Sequence, residues 1–368
     1  SASESSSSLS SEKKLFLWGE CRATSLLAVM SCQFPSAAQP GAIKAHHALE
    51  LKLIVGASAL LHRFGAVREM IEADGFLPES TVYSIVEGET PTTMAKSTGM
   101  GIIELATQFE NIKPDIVLTV ADRFETLATA VASSYMNIPL AHTQGGEVTG
   151  SIDESVRHAI TKLAHIHFPA TKRAKEFILK LGEDPKSVFL TGCPAIDLVA
   201  ESNLILDKDI FRIYGGVGDE INPDKDFILV LQHPVTTEYG EGFSQIEKTL
   251  NAVYKHAQEG MQVIWLWPNV DAGSDDVSKG IRVFREKNNT KNIRFYKNFK
   301  PEDYICLLAN SKCIIGNSSS GLREGAFLGT PCVNIGSRQA GRERSNNVID
   351  VIHDSQKIYE AISIQINH

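Results

Sequence analysis

The chain has 368 residues, 43% of them apolar and 22% charged, with a formal net charge of −8. That length accommodates two globular domains of ~100–200 residues each. The acidic balance argues against a nucleic-acid partner, although an anionic small molecule needs only a local cluster of arginines.

Ser1–Ser11 is serine-rich and cannot support a core, so residues 1–12 are expected to form a disordered tail. Leu15–Trp18 reads as the first buried strand, ending at Gly19, with Arg22 just beyond it where a first loop would face a cleft. The run after Lys13-Lys14 mimics a signal peptide, but Glu20 and Arg22 interrupt it. No apolar run elsewhere reaches the ~18 residues of a membrane span. No membrane partner and a cytoplasmic location are therefore expected. Between Ser31 and His47, the stretches Cys32-Gln33-Phe34-Pro35 and Gln39-Pro40-Gly41 break the pattern of a crossover helix.

Alternation then becomes regular. Strands are predicted at Leu51–Val55, Val82–Val86, Asp115–Val120, Ile138–His142, Ile166–Ala170 and Val188–Thr191. Helices are predicted at Gly65–Ala73, Thr92–Gln108, Glu125–Met136 and Arg173–Leu181. Ser151-Ile152-Asp153-Glu154 matches a capping box opening a helix through Ala164. Leu204–Asp226 is polar and contains glycines, and the domain boundary is placed there, giving domains 13–205 and 206–368. A second series of strands follows at Phe227–Leu231, Val263–Leu266, Ile293–Tyr296, Ile314–Ile315 and Val333–Ile335. Strands alternating with helices indicate an α/β fold with parallel layers.

One stretch carries the clearest chemical signal. The buried strand Cys313–Ile315 leads into Gly316-Asn317-Ser318-Ser319-Ser320-Gly321, then into a helix over Leu322–Leu328 with Leu322, Ala326 and Phe327 on one face. A strand, a Gly/Ser loop and a helix point backbone N–H groups and a helix dipole at an anion. The next strand exits into Arg338, Arg342 and Arg344, so the pair suits a diphosphate. An ordinary turn with a solvated basic loop has the same local pattern. None of the six cysteines forms a C-x-x-C pair, so neither zinc nor a disulfide framework is expected, and a reducing compartment is.

Titratable groups recur just after the predicted strands. Asp122 and Arg123 follow one strand; His142, Gln144 and Glu147 follow the next; Asp153 and Glu154 open the helix after it. In the second series His233 precedes Pro234, Asn269, Asp271 and Ser274 follow another strand, and Ser318, Ser319, Glu324 and Arg338 follow the last. Such clustering suggests one shared site. Each also has a plain reading: Asp153 can serve the helix dipole or pair with Arg157, Asp122-Arg123 can be a local ion pair, and His233 a turn residue.

Seven ordered stretches resemble the UDP-N-acetylglucosamine 2-epimerase family, and within it the hydrolysing branch. They are Asp122-Arg123-Phe124-Glu125, Gly145-Gly146-Glu147, Asp153–Lys162, Leu231-Gln232-His233-Pro234, Pro268-Asn269-Val270-Asp271-Ala272-Gly273-Ser274, Gly316–Gly321 and Arg338–Glu343. The resemblance extends to the epimerase part of the animal bifunctional epimerase/kinase. It implies a GT-B-like fold, two Rossmann-like domains with an interdomain cleft, and a UDP-sugar as partner. It also implies a reaction, UDP-N-acetylglucosamine plus water giving UDP and N-acetylmannosamine, in the supply of sialic or related nonulosonic acids. The C2 proton is not acidic, so the bond from C1 to UDP must loosen first or concertedly. A glycal forms, water adds at C1, and a proton returns to C2 from the opposite face.

By resemblance, Asp122, Glu147, Asp153 and His233 are the catalytic or site-organising groups. Arg22, Arg123, His233, Asn269, Ser318, Ser319, Glu324 and Arg338 are the UDP-binding ones. No metal or cofactor is expected, since arginines and helix N-termini can supply the positive charge, and a homodimer or homotetramer is. Three departures from the family stand out. Gln144 occupies a position that is acidic in many members. Gly19–Ser25 is a poor match to the family's first loop, and the family pattern continues beyond His368. A non-hydrolysing epimerase and a UDP-sugar-binding protein without turnover are the competing expectations.

Overall fold

The computed structural model describes residues 24–30, 38–61, 67–268 and 271–367. The first half contributes β1 (Thr24–Met30), β2 (Leu49–Gly56), β3 (Ser80–Val82), β4 (Ile116–Val120), β5 (Leu140–Thr143) and β6 (Ile166–Phe168). They lie in the order β3-β2-β1-β4-β5-β6, with every pairing parallel. The second half contributes β7 (Val217–Gly218), β8 (Phe227–Leu231), β9 (Gln262–Leu266), β10 (Ile293–Tyr296), β11 (Ile314–Gly316), β12 (Cys332–Ile335) and β13 (Val348–Val351). Their order is β13-β12-β11-β8-β9-β10-β7, parallel except for the short antiparallel β7. Apart from β7, each sheet reverses strand order beside its first strand, the dinucleotide-fold arrangement that opens a crevice at the strands' carboxyl ends.

The apolar runs are continuous because both faces of each sheet are covered. In β8, Ile228 and Val230 enter a core with Ile246, Trp265 and Ile281. Phe227 and Leu229 enter the opposite core with Phe211, Tyr296 and Leu307. In β1, Leu27 and Val29 pack with Phe109 and Ile160, and Ala28 packs with Leu53 and Val67. This parity follows from alternation along an extended chain.

Several sequence expectations are corrected. The central strand of the first sheet is Thr24–Met30; the strand expected at Leu15–Trp18 and the expected tail lie outside the described residues. Arg22 precedes the first described strand in the chain and is itself outside the described residues. A helix does form at Ala38–Ala45, because Pro40 falls in the first turn, where its missing N–H has no intrahelical partner to lose. Strand β3 stops at Val82, and Val188–Thr191 makes only a single bridge, between Val188 and His167. The expected helix Leu322–Leu328 is two short pieces, Ser319–Leu322 and Glu324–Leu328, interrupted at Arg323. Phe327 is consequently exposed while Leu322 is buried.

The two halves touch closely. The Gly150 N–H donates to the Arg338 carbonyl at 3.0 Å. A Cβ at Gly150 would sit 1.9 Å from the Ser337 carbonyl oxygen, so only glycine allows this approach. The Gly273 N–H donates to the Glu89 carbonyl at 3.0 Å, a second tie between the halves. Among the described residues no helix is long and apolar enough to cross a membrane.

Candidate active site

The carboxyl ends of the strands flanking both crevices carry the predicted groups. Asp122 and Arg123 follow β4, Gln144 to Glu147 follow β5, His233 follows β8, and Asn317 to Ser319 follow β11. Asn269 lies outside the described residues.

Asp271 joins the two halves. Arg123 Nη1 is 3.2 Å from Asp271 Oδ1, and Arg338 Nη2 is 3.6 Å from Oδ2. Arg123 also pairs with the buried Glu125 at 3.1 Å, and desolvation pushes that glutamate's pKa upward. Asp271 and Arg338 also act on the Asp153 carboxyl. Burial and the Asp271 charge push Asp153 above the ordinary aspartate range, against the pull of Arg338 and the Ser151 hydroxyl. That hydroxyl donates to Asp153 Oδ2 at 2.8 Å. A carboxyl displaced in this way exchanges protons nearer neutrality.

The capping geometry differs from the expected box. Ser151 caps the helix Ile152–Leu163 by accepting from the Asp153 N–H, and Glu154 Oε2 accepts from the Thr149 N–H at 2.8 Å. The alternative Asp153–Arg157 pair does not form either. Arg157, 2% exposed, donates Nη2 to Asp122 and Nη1 to the Glu147 carbonyl at 2.7 Å.

His233 is fixed through its backbone. Asn317, fully buried, accepts from the His233 N–H at 2.7 Å and donates to its carbonyl at 2.8 Å. The Asn317 carbonyl in turn accepts from Arg338 Nη1 at 3.2 Å and Gln339 Nε2 at 2.9 Å. Gly316, with φ of 130°, permits this crossing: a Cβ there would lie 2.1 Å from the Leu231 carbonyl oxygen. In the adjacent loop, Ser318 Oγ lies 2.9 Å from Ser320 Oγ and accepts from the Ser320 N–H, and Ser319 opens the short helix.

Burial pushes the His233 ring down to about 3, reinforced by Arg338 and opposed by Asp271. Burial likewise pushes His142 down to about 4, against its contact with the Ala121 carbonyl. The His233 ring is thus neutral at pH 7. Both rings bind a proton less readily when folded than the ordinary histidine at about 6.5. Their contribution to stability is fully present above that value and is lost as the pH falls toward the folded-state values. The urea midpoint is expected to fall between pH 6.5 and 5, with a shallower slope in His142→Gln. A slope unchanged in His142→Gln would contradict the neutral burial of that ring.

Glu147 and Glu324 belong to a neighbouring group. Glu147 Oε2 lies 3.4 Å from Arg342 Nη2. Arg323, at the helix break, donates Nη1 to the Gln144 carboxamide oxygen at 3.4 Å and Nη2 to Cys193 Sγ. Desolvation raises the pKa of Glu324, which Arg323 and Arg342 counter. The structure therefore gathers Arg123, Asp153, His233 and Arg338 around Asp271, and sets Asp122 on Arg157. Glu147 and Glu324 stand with the Arg323–Arg342 pair. Sequence reasoning placed Asp271 in the cluster without giving it a role, and left Asn317, Arg157 and Arg323 off the site. The visible signals were the strand-exit position of Asp271 and the place of Asn317 inside the glycine–serine loop. Among the described residues no group of three His, Cys, Asp or Glu side chains could hold a metal ion.

Comparison with known proteins bears on the family and the fold. Residues 41–368 match the family model for UDP-N-acetylglucosamine 2-epimerase. A UDP-N,N'-diacetylbacillosamine 2-epimerase (hydrolyzing) from Legionella pneumophila is 35% identical over 303 residues, covering 82% of this chain and 78% of that protein. A GDP/UDP-N,N'-diacetylbacillosamine 2-epimerase (hydrolyzing) from Campylobacter jejuni is 32% identical over 316 residues, covering 85% and 80%. A solved UDP-GlcNAc 2-epimerase from Methanocaldococcus jannaschii, in complex with UDP-GlcNAc and UDP, has the same fold. Its TM-score is 0.76 at 17% identity, covering 94% of this chain and 93% of that one.

Proposed function

Since the chain belongs to the UDP-N-acetylglucosamine 2-epimerase family, we propose that it is a hydrolysing 2-epimerase of a UDP-N-acetylhexosamine. The C2 proton passes to a protein base as the C1–oxygen bond breaks, releasing UDP and leaving a glycal. Water then supplies hydroxyl to C1, and C2 takes a proton on the opposite face, giving the free 2-epimer. Asp153 is the proton-transfer group, with Asp122 and neutral His233 organising the sugar. Arg123, Arg338 and the Ser318–Ser319 loop stabilise the departing diphosphate, and Glu324 offers two acceptor oxygens to the ribose hydroxyls. The observation that carries this reading is the raised Asp153 carboxyl in the group of Asp271, Arg123 and Arg338.

Two relatives are named for diacetylbacillosamine substrates, so a UDP-sugar with a 4-acetamido group is tested beside UDP-N-acetylglucosamine. The product would feed sialic or other nonulosonic acid synthesis, in the cytoplasm, from a homodimer or homotetramer. Gln144 favours a second reading. A neutral amide cannot act as a general base, and the Glu147 carboxylate that could replace an acid there is paired with Arg342. A protein that binds UDP-sugar without turnover would have such a site.

Proton NMR with each UDP-sugar in deuterated water separates these readings. Release of UDP with a free 2-epimer deuterated at C2 is the expected result. A UDP-linked epimer would identify the non-hydrolysing reaction, and UDP binding without any product would identify the binding protein.

A further inference from the structure

Between the two halves, beside the group just described, lies a cavity of about 410 Å³. Its walls include Thr171, Arg173 and Cys193 from one half and Arg323, Arg342 and Glu343 from the other. We propose that this cavity is a second binding site, separate from the diphosphate loop, for a small molecule carrying a carboxylate or phosphate group. The inference does not depend on the reaction assigned above.

Arg342 carries it. Its side chain is only 9% exposed, and its Nη2 meets Glu147 at 3.4 Å. Its Nε and Nη1 are buried and have no hydrogen-bond partner. A buried guanidinium with unmet N–H groups is uncommon and costly, and oxyanions satisfy such groups with short charge-assisted bonds. Arg323 adds to the anionic preference. Its Nη1 donates to the Gln144 amide oxygen and its Nη2 to the Cys193 sulfur. Burial works against its charge, but nearby Glu147 and Glu324 outweigh that and hold its pKa up.

Two of the three carboxylates on the same walls are engaged. Glu147 faces Arg342, and Glu343 Oε2 accepts the Thr171 hydroxyl at 2.6 Å. Asp197 lies in the first turn of the helix Pro194–Glu201, where it offsets that helix's own N–H groups. What remains unmet on Arg342 is donor capacity, which the oxygens of an oxyanion satisfy as acceptors. The volume falls within the range of small-molecule pockets, about 300–1,000 Å³. Because both halves contribute, an occupant would also fasten them together.

Cys193 is a built-in reporter, since it lines the cavity while Cys306, Cys313 and Cys332 are buried. Alkylation of Cys193 by iodoacetamide, followed by peptide mass, is measured with inorganic phosphate or acetate at constant ionic strength. Each series is repeated with saturating UDP, which fills the diphosphate loop. The expected result is saturable protection by at least one anion, about tenfold at ten times its half-saturating concentration. That protection should persist with UDP present and vanish in Arg342→Gln. Which anion protects tells a phosphate ligand from a carboxylate one. No protection by either anion, a non-saturating effect, or protection abolished by UDP would overturn the proposal. The arms on the unaltered protein decide this alone if Arg342→Gln does not fold.

Discussion

Asparagine at position 153 is expected to cut turnover by about 10²–10⁴-fold, the range for losing a positioned acid or base. UDP affinity, measured by calorimetry, should change little, because the diphosphate contacts assigned to Arg123, Arg338 and Ser318 do not involve Asp153. The pH profile gives a second signature. Burial and Asp271 raise the Asp153 pKa, so the acid limb of kcat/KM should lie above the ordinary aspartate range. Above that pKa the carboxylate accepts the C2 proton; below it the group is already protonated and the rate falls. The asparagine variant should lose this limb altogether. Ser151→Ala removes the hydroxyl that holds the charged form at 2.8 Å, so its acid limb should move to higher pH. A merely structural serine would lower the rate equally at every pH. Turnover near the original level in Asp153→Asn would remove Asp153 from the proton-transfer role.

Strands buried on both faces were legible because their apolar runs have no polar register to confuse, as in Phe227–Leu231 and Val263–Leu266. Val348–Val351 was not, since this edge strand is half-buried and carries Asp350, which pairs with Arg344 at 2.7 Å. The central strand Thr24–Met30 was missed because a second apolar run, Leu15–Trp18, lies close to it in the chain, and only pairing with β2 and β4 identifies the central one. Helix Ala38–Ala45 was hidden by a proline whose effect depends on its position within the turn. At the site, residues that follow strands were legible by position, because a parallel sheet delivers its carboxyl ends to one edge. The clasp of Arg123, Asp271 and Arg338 was not, since it forms between halves that are far apart in sequence. Nor was the Arg323 arrangement, which exists only because the expected helix breaks at that residue.

Arg157→Met is expected to lower stability by about 3–5 kcal/mol, the cost of breaking a buried ion pair by removing one partner. Arg157 is 2% exposed, and its two terminal nitrogens serve different elements. Nη2 holds Asp122 at the end of β4, and Nη1 holds the Glu147 carbonyl in the loop after β5 at 2.7 Å. One planar fork thereby fixes the spacing of two neighbouring strand exits. Lysine is a compact charge without that fork, so Arg157→Lys should retain the charge but not both contacts, and should fall between the original protein and Arg157→Met. Asp122→Asn combined with Arg157→Met separates the ion pair from the packing. With both charges gone, no carboxylate is left unpaired, and the double variant should lose less urea stability than the two single losses added together. The shortfall should lie within the ~0.5–3 kcal/mol expected of contacting residues. Strict additivity would mean that Arg157 acts only through the Glu147 carbonyl, and that the orientation of Asp122 is set by something other than this arginine.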